Sequence, residues 1–276
     1  MREGDLNMRT IIPLGCIAAA LTACSSTTET PDFSDTFAIA ANHTATFDDG
    51  VTTPREMLYS DVVGEGISGF LGLRDGTIQP VTVRVSEDGT TAYVSFDGGA
   101  ETAYSNRTST LSSGGGRWEE GVDRLSLYPS TTTVSMELVN ANAGNGFAIQ
   151  QTPDAELLTG TVTYTGSFVM YDQSGSDTEG YIGLNVDFAG GGVNGNLIGT
   201  TETTDEDSAI VGTIAGQMDG GTFAGQASST GTVLFSLEML GAVHDSGNAL
   251  SGAMAGTLDG VSVGGQFELD NQGSDL

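Results

Sequence analysis

Beyond carboxylates, hydroxyls and amides, this acidic chain offers two histidines, two cysteines and a single tryptophan as groups that could do chemistry. A Ser-His-acid hydrolase needs a nucleophile, a base and an orienting acid within reach of one another. His43 and His244 stand far apart, in stretches of different texture, and do not make such a set. His244 falls in Ala242-Val243-His244-Asp245-Ser246-Gly247-Asn248, which reads as an exposed turn between two strands rather than as a catalytic base. Glycoside hydrolysis needs only two carboxylates. The acids here fall mostly on turns, however, not inward on strands. Two clusters bring together the hard oxygens that calcium prefers: Asp172-Gln-Ser174-Gly-Ser176-Asp177-Thr-Glu179 and Thr203-Thr204-Asp205-Glu206-Asp207. Neither has the spacing of an EF-hand, and the Gly-rich texture lacks the nonapeptide repeat of calcium-binding β-rolls. Both read as polar hairpin loops. The expectation is therefore a protein without catalytic residues, metal or cofactor. Trp118, in Gly116-Arg117-Trp118-Glu119-Glu120, is expected to be a buried anchor of the N-terminal half.

The cysteine that does carry a chemical expectation is Cys24. It closes Leu21-Thr22-Ala23-Cys24, after Arg9 and the apolar run from Ile11 to Leu21. That order of basic residue, short apolar core and small residues before a cysteine is a bacterial lipoprotein signal, too short to span a bilayer. Cys24 is the expected lipid attachment site, palmitate among its acyl chains. Each buried methylene is worth about 0.8 kcal/mol, so several chains on one cysteine hold a protein at the membrane nearly permanently. Met8-Arg9-Thr10 is a more conventional start than Met1, and Ser25 after the cysteine favours outer-membrane sorting. Cys16 leaves with the signal, so no disulfide or thiolate metal site is expected. Asn42-His43-Thr44 and Asn106-Arg107-Thr108 match a glycosylation sequon, incidentally in a bacterial lipoprotein.

Net charge is the second strong feature, at −28, with no lysine and with Arg124 the last arginine. From Leu125 onward the chain carries acids and not one Lys or Arg. A surface of this sign excludes nucleic acid as a partner. Self-repulsion on this scale is best tolerated where salt shortens the Debye length, and a solvated acidic coat also keeps an exported protein in solution.

Those residues must be positioned by strands. After the signal (1–23) and a Ser/Thr-rich tether (24–35), a β-rich, irregular N-terminal domain is expected over 36–153 and a barrel over 154–276, with the boundary at Thr152-Pro153-Asp154. In the first domain, Val81 to Val85 and Tyr93 to Phe96 flank an Asp88-Gly89 turn. Leu125 to Tyr128, Thr133 to Val139 and Phe147 to Gln150 read as further strands. Ser112 to Gly116 reads as a loop, and Pro54 to Val62 as a short helix. Beyond Pro153 the alternation is regular: Val162, Tyr164, Phe168 and Met170; Ile182, Leu184, Val186 and Phe188; Val193 and Leu197; then Ile210 to Met218, Thr222 to Ala227, Val233 to Val243, Ala249 to Leu258 and Val261 to Leu269. These eight period-two strands, with turn residues between them, predict an up-and-down antiparallel barrel whose first and last strands pair, with inward glycines easing the coiling. A membrane-spanning barrel is disfavoured, because aromatic girdles are missing and a lipidated N-terminus would make one redundant.

Several of these residues resemble a known family. Gly160-Thr-Val-Thr-Tyr164-Thr-Gly166-Ser-Phe168, Leu184-Asn-Val186-Asp187-Phe188 followed by Gly192-Val193-Asn-Gly195-Asn-Leu197, Leu250-Ser-Gly252-Ala-Met254-Ala-Gly256 and Val263-Gly264-Gly265-Gln266-Phe267 are similar to the C-terminal eight-stranded barrel of transferrin-binding protein B-like lipoproteins. The resemblance covers roughly Glu156 to Asp270. Two departures go with it: the family's receptors have two lobes where this chain has room for one, and Ala253-Met254-Ala255 stands where they have an aromatic-rich segment. The resemblance implies a non-enzymatic lipoprotein of the outer membrane that captures a macromolecule through loops at one end of a barrel, partnering an outer-membrane transporter in iron-type nutrient acquisition. The alternative is a passive surface-coat lipoprotein without a specific ligand.

Overall fold

The computed structural model describes residues 66–110, 115–129, 133–139, 144–149, 159–201, 208–219, 221–244 and 247–272. Cys24, the tether, His43, Pro54 to Val62, the boundary at Thr152 to Asp154 and the Thr203 to Asp207 cluster lie outside the described residues.

Nine strands come first: β1 (Ile67–Leu73), β2 (Ile78–Val85), β3 (Ala92–Phe96), β4 (Thr102–Tyr104), β5 (Asn106–Thr110), β6 (Gly116–Glu120), β7 (Asp123–Pro129), β8 (Thr133–Val139) and β9 (Gly144–Ile149). They form one antiparallel sheet in the order β4-β3-β2-β1-β9-β8-β7-β6-β5. Its two edge strands, β4 and β5, are joined by Ser105 alone. One residue bridges the two edges only if the sheet curls until they meet. The concave face is lined by Val81, Val83, Val94, Leu125, Leu127 and Leu138 around Trp118. Trp118 is fully buried, and its indole N–H donates to the carbonyl of Gly89 at 3.2 Å, stitching β6 to the β2–β3 turn. In that turn Gly89 has φ +71°, the left-handed conformation a Cβ disfavours. Asp88 accepts from Ser86 Oγ and from the Thr90 amide and hydroxyl, bonds that hold its carboxyl below the usual carboxylate range.

The sheet corrects the expectation of an irregular N-terminal half. It is continuous, and Gly116, expected in a loop, opens β6.

The remaining strands close into a barrel: β10 (Thr161–Asp172), β11 (Asp177–Asp187), β12 (Gly192–Thr201), β13 (Ser208–Asp219), β14 (Thr222–Ser229), β15 (Phe235–His244), β16 (Ala249–Leu258) and β17 (Val261–Asn271). Every neighbour is antiparallel, and β10 pairs β17 with Phe168 opposite Phe267, so the first and last strands close the sheet as expected. Inward positions supply Tyr164, Phe168, Leu184, Leu197, Leu237 and Leu250 among a continuous apolar interior, with Phe223 and Phe267 edge-to-face at 6.1 Å. Two polar groups finish the interior at its ends. Tyr164 Oη donates to the Gly247 carbonyl at 2.8 Å, and Thr178 Oγ1 donates to Thr201 Oγ1 at 2.9 Å. The outward positions carry mostly Thr, Asn, Ser, Gln and Glu. Apolar inside and polar outside is the reverse of a lipid-facing barrel.

The curled sheet lies on one side of the barrel, within the same compact unit. On β1 the alternation splits: Ile67, Leu71 and Leu73 face the sheet's own core, while Phe70 and Gly72 face the barrel. Phe70 and Ile78 pack on Ala224, Leu240 and Ala253, small or apolar outward residues of β14, β15 and β16. A Cβ on Gly264 would strike the Leu73 carbonyl, and one on Gly72 would strike the backbones of Met254 and Gly265. The two layers therefore meet backbone to backbone, at a distance only glycine allows. Ser135 Oγ to Gln266 Oε1, 3.3 Å, is a polar contact of the same seam. Arg74, in the turn after β1, places its guanidinium 5.2 Å from the ring centre of Tyr171 on β10.

Candidate functional site

The curled sheet packs on β14 to β17 as far as Gln266 and leaves β10 to β13, with the Glu268 end of β17, open; the register shows what that wall presents. Two outward rows run across five strands. Glu268, Ser167, Tyr181, Ile198 and Val211 stand opposite one another in succession on β17, β10, β11, β12 and β13. The next row is Gln266, Val169, Glu179, Thr200 and Ala209. Together they line an open groove of about 570 Å³. Tyr181, Ile198 and Val211 are 69%, 53% and 42% exposed, three large apolar side chains in direct cross-strand contact with solvent above them.

The wall beneath the groove is built from what lies on its inner side. Between the two outward rows, the inward row reads Phe267, Phe168, Gly180, Gly199, Ile210. Gly180 and Gly199 are neighbours, and the Phe168 ring fills the space their side chains would take: a Cβ at Gly180 would stand 2.8 Å from that ring and one at Gly199 3.0 Å. One aromatic thus plugs the interior under two strands, leaving β11 and β12 free to carry their apolar side chains outward.

The groove's charged residues are Glu179 and Glu268. Desolvation against the wall, and then the Asp270 carboxylate nearby, push the Glu268 carboxyl above the usual range. The strands of the barrel contain no Lys or Arg that could compensate either acid. The ion pairs of Arg84 with Glu101 and Arg124 with Glu137 belong to the curled sheet.

The sequence missed this surface as a site, yet it left a trace. In three consecutive strands the alternation breaks into an apolar doublet: Tyr181-Ile182, Leu197-Ile198 and Ile210-Val211. One residue of each doublet, Tyr181, Ile198 and Val211, has no place in the interior. That the three fall in one row depends on register, which the doublets alone do not supply. These exposed apolar residues lie in mid-strand, away from the loops at which the family resemblance implies partner contacts.

Other residues singled out in the sequence take these places. His244 corrects the expectation of an exposed turn: it is the last residue of β15, 1% exposed, with Nε2 2.9 Å from the hydroxyl of the fully buried Ser251. Burial lowers its pKa to about 4. Its Nδ1 has no partner among the described residues, so no acid orients the ring as a triad requires. Neither Ser251 nor His244 is open to a substrate. Asp172 is buried at the end of β10, where its carboxylate accepts from Ser174 Oγ at 2.7 Å and from the Ser176 amide at 2.9 Å. Its Oδ1 serves the β10–β11 turn. Trp118 is the buried anchor expected of it.

The described residues define an all-β protein in which a curled nine-stranded sheet backs onto a closed eight-stranded barrel. No family model matches the sequence, and no curated protein matches it. Among solved structures, the chain is similar to the isotype 1 transferrin binding protein B from serogroup B Neisseria meningitidis, at 15% identity and a TM-score of 0.47, over 75% of this chain and 44% of that one. It is similar to a mutant transferrin binding protein B from Haemophilus parasuis at 14% identity and a TM-score of 0.42, over 71% of this chain and 51% of the other. A third similar structure, described as a surface lipoprotein, is matched over its full length (100%) and 76% of this chain, at 10% identity and a TM-score of 0.38. The chain thus spans about half the length of the first two structures or less.

Proposed function

We propose that this chain is a lipid-anchored, non-enzymatic capture protein of the outer membrane, acylated at Cys24, that seats a macromolecular partner on the open wall of its barrel. The observation that carries the reading is the exposed row Tyr181, Ile198 and Val211. Each of these side chains is large, and leaving them together in water forfeits the burial that a partner would restore, at about 25 cal/mol per Å² of apolar surface covered. A rigid closed sheet also presents them without an ordering cost on binding. No histidine, cysteine or lysine lines the groove, which favours retention of a ligand over its conversion. The barrel motifs that resemble transferrin-binding protein B-like lipoproteins suggest delivery to an outer-membrane transporter in iron-type acquisition as the setting.

A photoreactive amino acid placed at Ile198 in the full-length chain, in native membranes, tests the reading. The expected result is a discrete protein adduct at Ile198 and none when the same group replaces Ser236 on the far flank of the barrel. Equal labelling at both positions, or none at either, would mark a passive coat protein. In the same preparation Cys24→Ser should move the protein from the membrane fraction to the soluble one, since the acyl chains are the proposed anchor.

A further inference from the structure

The groove's chemistry narrows the partner further, and this step rests on the capture reading above. We infer that the open wall receives an amphipathic helix of a partner protein, apolar along one face and carrying Lys or Arg beside it. Three observations on the wall lead there.

The first is backbone closure. Every strand of the barrel is hydrogen-bonded on both sides, β10 to β17 included, so the wall offers no free edge to which a partner could add a strand. Recognition must run through side chains, as it does when a helix lies in a groove. The second is dimension. With strands about 4.8 Å apart, the apolar part of the row, Tyr181 to Val211 on three consecutive strands, is about 10 Å long on the curved wall, which two helical turns of about 5.4 Å match. Tyr181, Ile198 and Val211 occupy consecutive strands of that row and would meet apolar positions one helical turn apart.

The third observation is charge. Glu268 ends the Tyr181 row and Glu179 sits in the row beside it, and neither has an ion-pair partner among the described residues. The partner must bring the cations. A second copy of this chain, at −28, would bring more anions to the same wall, and an anionic membrane surface would do likewise.

A labelled 13-residue peptide with leucines at helical spacing and lysines flanking them, titrated with the full chain and followed by fluorescence anisotropy, tests the inference. The expected result is binding that weakens about tenfold between 50 mM and 500 mM NaCl, and no binding of the same peptide with glutamate in place of lysine. The decisive variant is Ile198→Asp. It adds a negative charge, so adsorption to acidic surface alone would strengthen or persist, whereas loss of the apolar seat should weaken binding at least tenfold. Val211→Ser should weaken it in the same direction without changing charge. Glu268→Gln should weaken it about threefold and flatten the salt dependence. Undiminished binding by Ile198→Asp, equal binding of the glutamate peptide, or no binding of the lysine peptide would each overturn the inference. Should the photoreactive group at Ile198 still capture a protein in that event, the capture reading stands and only the cationic helix falls.

Discussion

His244 shows how much one position can cost an acidic protein. The imidazole is sealed at the end of β15 against Ser251 Oγ, with Glu268 and Asp270 on the flanking strand β17, opposite Ser251 and Ala249. Burial holds its pKa at about 4, against 6.5 for a free side chain. The sign follows directly. Above pH 6.5 the ring is neutral in both folded and unfolded chains and costs nothing. Between 6.5 and 4 the unfolded chain takes up a proton that the folded one refuses, so stability falls with pH; below 4 the loss is complete. The full difference is about 3 kcal/mol at 1.36 kcal/mol per pH unit. Protonation of carboxylates over the same range relieves like-charge repulsion and acts the other way, so the measurement must be a difference. Urea unfolding of wild type and His244→Gln at pH 7 and pH 4.5 should show the variant losing less stability on acidification, by about 2 kcal/mol. Parallel losses would remove His244 as the titrating group.

At the scale of elements, the seam between sheet and barrel joins the Phe70 contact to a close backbone approach that two glycines, Gly72 and Gly264, permit. Gly264→Ala drives a methyl into the Leu73 carbonyl, an atom of a hydrogen-bonded strand that has nowhere to go. The expected cost is about 1–3 kcal/mol in chemical unfolding. Gly183→Ala, on the open wall with only Thr165 Cγ2 at 3.9 Å, is the matched control and should stay within about 0.5 kcal/mol of wild type. Equal effects would mean that the seam is looser than its geometry. Sequence patterning foretells such elements unevenly. All eight barrel strands were legible, because Val162-x-Tyr164 or Leu184-x-Val186 can bury one face only as strands, and closure followed from their number. The continuity of the nine-stranded sheet was not, since β4 and β5 are short and polar and owe their place to pairing with β3 and β6. His244 was misread because Asp-Ser-Gly-Asn after it signals a turn, while its burial depends on packing from outside the local sequence. Of the groove, the apolar doublets were visible, but their alignment was a matter of register.

At the scale of the whole molecule, charge divides the protein in two. The curled sheet balances some of its acids: Arg84 makes a two-pronged pair with Glu101 at 2.6 Å for each bond and stacks 3.7 Å from the ring centre of Tyr93, and Arg124 reaches Glu137 at 3.1 Å. The barrel strands hold their acids without any Lys or Arg of their own, and Arg74 over Tyr171 is a cation lent from the sheet. Repulsion around the barrel is long-ranged at low salt, where the Debye length is about 10 Å at 0.1 M, and nearly gone at 1 M, where it is about 3 Å. Exposed pairs such as Arg84 with Glu101 are worth little to begin with, so screening them costs less than relieving the barrel gains. The midpoint of thermal unfolding should therefore rise by several degrees between 50 mM and 1 M NaCl. Calcium chloride at matched ionic strength should raise it no further if screening is the whole effect, because Asp172 already spends its Oδ1 on the β10–β11 turn. A calcium-specific gain that disappears in Asp177→Ala would instead mark that turn as a cation site, and a midpoint indifferent to NaCl would mean that the acids around the barrel are too far apart to repel.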